Sequence, residues 1–287
     1  MSLSTPDPLL QPLLKRLHGA GRLRVGSLVI SIFGDLVQPR QQAISVQELL
    51  ALTSHVGIEE NAVRTALSRL SKEGWVERHK DGRHAFYALN ESGKATFLQA
   101  TERIYSHSFV SSFSQWNLGY FEDPIGYTKD EMPLGFTLSK HWQLINDEDV
   151  HHFAQSRNGS NCMLFPTTAV DTPLWVLDNL LPDALTRHYT DLLADIQPLI
   201  EARDALTGLS PLCALTLRFL LIHSWRRIVL RHPLMPQNLL PCDWPGAVCH
   251  AHICSIYPQL VNSSEQWWEV ATSDVGVSSL RKRFVSS

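Results

Sequence analysis

Residues 45–89, SVQELLALTSHVGIEENAVRTALSRLSKEGWVERHKDGRHAFYAL, constrain the fold more than any other stretch of the chain, because a helix, a tight turn, a second helix and a hairpin follow one another without a break. Ser45 and Glu48 form a capping-box pair just before the apolar run Leu49, Leu50, Leu52. His55-Val56-Gly57-Ile58 breaks that helix, and Glu59 and Glu60 favour the start of the next by complementing its macrodipole. In the second helix Val63, Ala66, Leu67 and Leu70 recur at helical spacing and must face a core. That leaves Asn61, Arg64, Thr65, Ser68 and Lys72 on the outer face, where such side chains reach base edges and phosphates.

Gly74 is placed to cap the second helix. Beyond it, apolar and polar residues alternate on both sides of Asp81-Gly82, a strong short-range hairpin signal. Lys80 and Arg83 fall at the hairpin tip, where a wing meets the DNA backbone or minor groove. The pattern predicts a winged helix-turn-helix DNA-binding domain over residues 22–90, with two basic contact points, the helix face and the wing, joined by the apolar anchor Trp75. A winged helix used only to bind protein is the alternative, because a fold does not dictate a function.

The charge distribution agrees with a DNA-facing amino-terminal part. Residues 1–105 carry 13 Lys and Arg against 10 Asp and Glu, whereas residues 106–287 carry 12 against 18. So small a positive excess cannot coat nucleic acid nonspecifically, and tight binding calls for a dimer that doubles the phosphate contacts. The five cysteines follow no paired spacing and no signal peptide precedes them, which predicts a reducing cytoplasm. The nearest thing to a membrane span, Leu212–Ile222, is short and broken by Arg218.

Upstream of the motif, Val25, Leu28, Val29, Ile32, Phe33 and Leu36 form a helical stripe that predicts a packing helix stopped by Gln38-Pro39. Downstream, Asn90 caps a connecting helix to about residue 107, with Phe97, Leu98, Thr101, Ile104 and Tyr105 on its buried side. Residues 110–180 contain short apolar pieces (Trp116–Phe121, Met132–Phe136, Asn161–Phe165) and a helix near Asp147–Gln155, which predicts a small α+β domain. Helical spacing returns from Pro182 to Leu206, and Ser210-Pro211 opens another long helix to about Leu230.

The segments ENAVRTALSRLSKEGWVERHKDGRHAFYALNESG and LLIHSWRRIVLRHPLMPQNLLPCDWPG, in this order, closely resemble the PaaX-type transcriptional repressors of phenylacetate catabolism. The resemblance implies an α+β protein in three parts: an amino-terminal winged helix, a small ferredoxin-like (Cas2-like) middle domain and a helical carboxy-terminal domain. The corresponding boundaries are 22–90, a connecting helix over 91–109, then 110–180 and 183–277. It further implies a homodimer on a double-stranded DNA operator, released by an acyl-CoA effector such as phenylacetyl-CoA. The similarity is close over residues 22–105 and 183–262. It is weak over 110–180, where the family's Arg-rich helix is missing and Gly135-Phe136 is what remains of its Gly-Phe-Gly turn. That departure bears on the effector more than on DNA binding, and leaves open a regulator of the same architecture answering another aromatic or acyl-CoA compound.

Arg226, Arg227 and Arg231 occupy an otherwise apolar helix, and their guanidiniums suit either the phosphates of a CoA-like anion or acidic partners on a neighbouring helix. Trp225 and Trp244 are the candidate lining for an acyl group. His223 on the same helix is expected to be a bonded core histidine. Cys242, Cys249, His250, His252 and Cys254 lack a recognised zinc spacing, so no metal and no cofactor is expected. An acidic helix start accounts for His151-His152 beside Asp147, Glu148 and Asp149. A nuclease would need a carboxylate at the end of a first strand, for which only Glu122 and Asp123 qualify; with no phosphate loop, nucleotide fingerprint or nucleophile elbow, an enzyme is not expected.

Overall fold

The computed structural model describes residues 7–19, 21, 23–40, 43–81, 84–106, 110–111, 116–126, 133–147, 149–155, 161–167, 178, 181–232, 235–236, 240–241 and 243–269. The chain divides into two compact units. One comprises residues 1–107, 194–226 and 251–287, the other residues 108–193 and 227–250.

In the first unit α1 (Gln11–Gly19) and α2 (Val25–Ile32) precede the short strand β1 (Ile44–Ser45). Then come α3 (Val46–His55), α4 (Glu60–Lys72), the hairpin β2 (Val76–Asp81) and β3 (His84–Leu89), and α5 (Glu91–Ile104). β3 is central in an antiparallel sheet of order β1-β3-β2. The upstream stripe is buried as its spacing requires, with Leu28, Val29, Ile32, Phe33 and Leu36 all inaccessible. α2 packs beneath α4, and the Arg69 guanidinium lies over Gly26. On α5, Phe97 and Ile104 are buried as expected, but Leu98 is 59% exposed and faces away from the core.

The approach to the stop expected at Gln38-Pro39 is not α-helical throughout. After Ile32 the backbone widens into a π-helical turn, Phe33–Val37, and tightens into a 3₁₀ turn, Gln38–Arg40, that contains the proline. Pro39 lacks the N–H that an α-turn would direct to Asp35 O and a 3₁₀ turn to Leu36 O. Two arginine side chains supply donors instead: Arg218 Nη2 to Asp35 O at 3.0 Å, and Arg40 Nη1 to Leu36 O. The turn that contains Pro39 thus has side-chain donors in place of the missing backbone hydrogen bond.

Those arginines belong to a buried charge cluster built with α8 (Pro211–Val229) and α9 (Pro245–Glu269). Arg218 Nε lies 2.9 Å from Asp35 Oδ2 and its Nη1 donates to Glu265 Oε1 at 2.6 Å. Glu265 also accepts from Arg40 Nη2, and Arg40 stacks over Trp268 at 4.7 Å from the ring centroid. Asp35 Oδ1 accepts from the hydroxyls of Tyr105 (2.6 Å) and Tyr257 (2.7 Å). Burial works against the charge on Arg218, but Asp35, Tyr257 and Glu265 more than offset it and hold the guanidinium above its ordinary range. For Arg40 burial wins over Glu265, and its pKa falls. Two cations and two carboxylates thus neutralise each other in the buried interior.

The second unit contains an antiparallel sheet of order β6-β7-β5-β8, from Phe136–Ser139 (β6), Trp142–Asn146 (β7), Trp116–Phe121 (β5) and Cys162–Thr167 (β8). β4 (Val110–Ser111) pairs separately, in parallel, with β9 (Met235–Pro236). The expected pieces at Trp116–Phe121 and 161–165 are strands, the piece at Met132–Phe136 enters its strand only at Phe136, and β7 went unanticipated. α6 (Val150–Gln155) covers one face of the sheet, where Phe153 packs with Phe121, Leu134 and Ile145. Tyr120, Met163 and Phe165 are exposed, and cross-strand pairing of Tyr120 with Met163 and of Leu118 with Phe165 puts them on the opposite face. From α7 (Asp183–Glu201) this unit takes the buried Leu185, Tyr189 and Leu192, with Tyr189 Oη 2.5 Å from His232 Nε2. Helices and small sheets together make a mixed α+β chain.

Candidate nucleic-acid interface

The local chemistry of residues 45–90 fixes one helix face and one hairpin. Ser45 Oγ accepts the Glu48 N–H at 3.1 Å while the Glu48 carboxylate accepts the Ser45 N–H at 2.7 Å, so the capping box is complete at the start of α3. Gly57, at φ 75, makes the turn into α4. At the far end Gly74 (φ 73) closes a Schellman motif, with Trp75 N–H to Leu70 O at 2.9 Å and Gly74 N–H to Ser71 O at 3.3 Å. Trp75 meets Phe97 edge-on at 6.1 Å between ring centroids, tying the end of α4 to α5.

With both ends fixed and Val63, Ala66, Leu67 and Leu70 buried against α2 and α3, α4 presents Asn61, Arg64, Thr65, Ser68 and Lys72 to solvent, all exposed as expected. Thr65 Oγ1 donates back to Asn61 O at 2.8 Å, and Arg64 pairs with Glu60 one turn earlier. The hairpin holds register from Val76 opposite Leu89 to Asp81 opposite His84, and Lys80 is exposed near its tip. Arg78 and His79, also exposed on β2, extend the polar edge toward the tip, a contribution the sequence reading passed over. Arg83 lies outside the described residues.

The candidate effector residues are placed differently. Arg226 Nη1 donates to Ser31 Oγ (3.1 Å) and Ser27 O (3.3 Å), anchoring α8 to α2. Arg227 is half-buried and Arg231 exposed. Trp225 is fully buried and donates its indole N–H to Ile104 O at 2.9 Å, and Trp244 is buried with its ring 5.1 Å from Tyr189. His223 is the expected bonded core histidine, 2.8 Å from Ser31 Oγ. Arg218, two turns earlier on this helix, pairs with the acidic Asp35 and Glu265.

Among the described residues no group of three His, Cys, Asp or Glu side chains could hold a metal ion. Cys242 lies outside them, and burial pushes the Cys254 thiol up to about 12, so it is protonated at neutral pH. Asn146 and Asp149 bond reciprocally at the start of α6, through Asp149 N–H to Asn146 Oδ1 at 2.6 Å and Asn146 Nδ2 to Asp149 Oδ2 at 2.7 Å. Glu122 and Asp123 are exposed just past β5. No described helix is long and apolar enough to cross a membrane.

Comparison with known proteins places the chain among relatives. It is 29% identical to the transcriptional repressor PaaX of Escherichia coli (strain K12) over 256 residues, 82% of this chain and 79% of that protein. The uncharacterised protein Rv0674 from Mycobacterium tuberculosis shares its fold with a TM-score of 0.51 at 18% identity, covering 84% of this chain and 97% of that one. The model of the PaaX-like proteins matches residues 24–93 and that of the PaaX-like carboxy-terminal domain matches residues 181–270, together more than half of the chain. With both characteristic segments present in order, this protein belongs to the PaaX-like family.

Proposed function

We propose that this protein is a dimeric, ligand-responsive transcriptional repressor rather than an enzyme, acting on an aromatic-acid (phenylacetate) catabolic operon. The observation that carries the reading is the polar and basic outer face of α4, with Asn61, Arg64, Thr65, Ser68 and Lys72 exposed between a capped start and a Schellman stop. In this reading residues 22–90 are a winged helix with α4 in the major groove, while Lys80 and Arg83 of the wing hold the backbone. Residues 91–109, 110–180 and 183–277 are its connecting, middle and carboxy-terminal functional segments. A ferredoxin-like middle segment is supported by the β5–β8 sheet, in which the first strand in sequence lies between the fourth and the third. Each subunit takes one half-site, since the small positive excess of residues 1–105 gives one subunit few phosphate contacts.

The effector in this reading is an aryl- or acyl-CoA thioester, whose phosphates suit a guanidinium fork such as that of the exposed Arg231 and whose acyl end suits an apolar lining. It releases the operator by favouring a dimer geometry in which the two α4 helices no longer match the half-site spacing. Titration of the protein bound to a labelled fragment from upstream of its own gene tests this. Phenylacetyl-CoA should release the fragment while phenylacetate and CoA alone leave it bound. Release by the free acid or by unacylated CoA contradicts two-ended recognition, and release by benzoyl-CoA alone selects the regulator of another aromatic compound. Failure to bind any upstream fragment favours the protein-binding winged helix.

A further inference from the structure

We infer that Glu60 is a specificity-determining residue, one that makes Arg64 a reader of guanine rather than a binder of phosphate. The inference rests on α4 being the reading helix and adds a residue and a chemistry to it. Glu60 opens α4, and its Oε1 lies 2.7 Å from Arg64 Nε and 2.6 Å from Arg64 Nη2, with both side chains more than half exposed. A guanidinium carries five N–H donors in a planar fork. The carboxylate occupies the Nε edge, so one N–H of Nη1 and the outer one of Nη2 point onward along the side chain. That remaining edge has the spacing of a bidentate donor, and in the major groove the matching acceptor pair is guanine O6 and N7.

The carboxylate acts in two ways. It limits the rotamers of a long side chain before DNA arrives, so less freedom is lost when the base contact forms. It also places a negative charge beside Arg64, which a backbone phosphate must approach and which a guanine edge does not oppose. In water an exposed i,i+4 pair of this kind contributes little to stability. At a DNA interface, where water is displaced, the same pair discriminates between two competing anionic and neutral partners for one arginine. Complementing the helix macrodipole, the other role of an acidic first turn, needs no contact with Arg64 at all.

Selection of bound sequences from a randomised DNA library, with the wild-type chain, Glu60→Ala, Glu60→Gln, Arg64→Ala and the double variant Glu60→Ala/Arg64→Ala, tests the assignment. Glu60→Ala should lose the guanine preference that Arg64→Ala also loses, at the same position of each half-site. It should bind random DNA several-fold more tightly, with a salt dependence about one unit steeper, because the freed arginine finds a phosphate. Glu60→Gln should keep part of the preference through its amide oxygen, and the double variant should select the same sequences as Arg64→Ala. Thermal melting of each variant should stay near that of the wild type, since both side chains are exposed. The inference is overturned if Glu60→Ala selects the wild-type sequences with the wild-type salt slope, or if the double variant loses preference at a further position. A wild-type chain that selects no sequence overturns the repressor reading and this inference together.

Discussion

Arg218→Met should destabilise the protein by about 3–5 kcal/mol, a large part of the roughly 5–15 kcal/mol that holds a typical domain together. The substitution keeps most of the side-chain volume, so the loss is electrostatic. It leaves Asp35 buried without its cation, removes one of the two arginines that neutralise Glu265, and strips a donor from the Asp35 carbonyl that Pro39 cannot serve. Adding Asp35→Asn should restore much of this stability. Asparagine keeps the oxygen that accepts from Tyr105 and Tyr257, and the remaining Arg40–Glu265 pair is neutral by itself. Urea unfolding of the wild type, the single variant and the double variant measures both effects. Equal losses in the single and double variants would contradict the assignment of the loss to the unpaired Asp35 carboxylate.

At the DNA surface the largest expected effect is that of Arg64→Ala, which should weaken operator binding by about 1–3 kcal/mol and relax the preference at one base position in each half-site. Lys72→Ala provides the contrast. A lysine is a compact point charge without fork geometry, so its loss should weaken binding to all sequences alike and lower the salt slope by about one unit. Both residues are exposed on α4 while the fold-bearing Val63, Leu67 and Leu70 are untouched, so neither variant should shift thermal melting appreciably. Operator titrations at several salt concentrations separate the two. An Arg64→Ala variant with unchanged operator affinity and an intact fold would falsify the groove assignment.

The parts of the molecule that sequence reasoning recovers are those whose causes are local. The capping box at Ser45, the turn at Gly57, the Gly74 stop and the periodicity of α4 each depend on residues within a few positions of one another, and all appear as expected. The charge cluster depends on partners far apart in the chain: Arg218 bonds Asp35 at a separation of 183 residues and Arg40 bonds Glu265 at 225. Its only trace in the sequence is a charge in the wrong place, Asp35 beside the apolar stripe of α2 and Arg218 inside the run Leu212–Ile222. Each is costly if buried alone, so two such charges in one chain are a reason to look for a pairing. At Pro39 the origin is mixed, since Arg40 bonds Leu36 O from four residues away whereas Arg218 bonds Asp35 O from 183 residues away. In the middle sheet the strands are short and Trp142–Asn146 follows β6 after only two residues, which leaves little periodicity to read.

The central claim, a dimer that reads two half-sites through α4, is tested most directly by nuclease footprinting on the upstream region of its own gene, with the mass of the complex measured by light scattering on the same fragment. The account predicts two protected half-sites related by approximate two-fold symmetry, their centres about one helical turn or a whole multiple of it apart, with two chains per fragment. Lys80→Ala should weaken the protection without changing which base pairs are covered, because wing contacts to phosphate position the protein and do not specify sequence. Protection of a single half-site by one chain, or uniform protection with no preferred sequence, would contradict it.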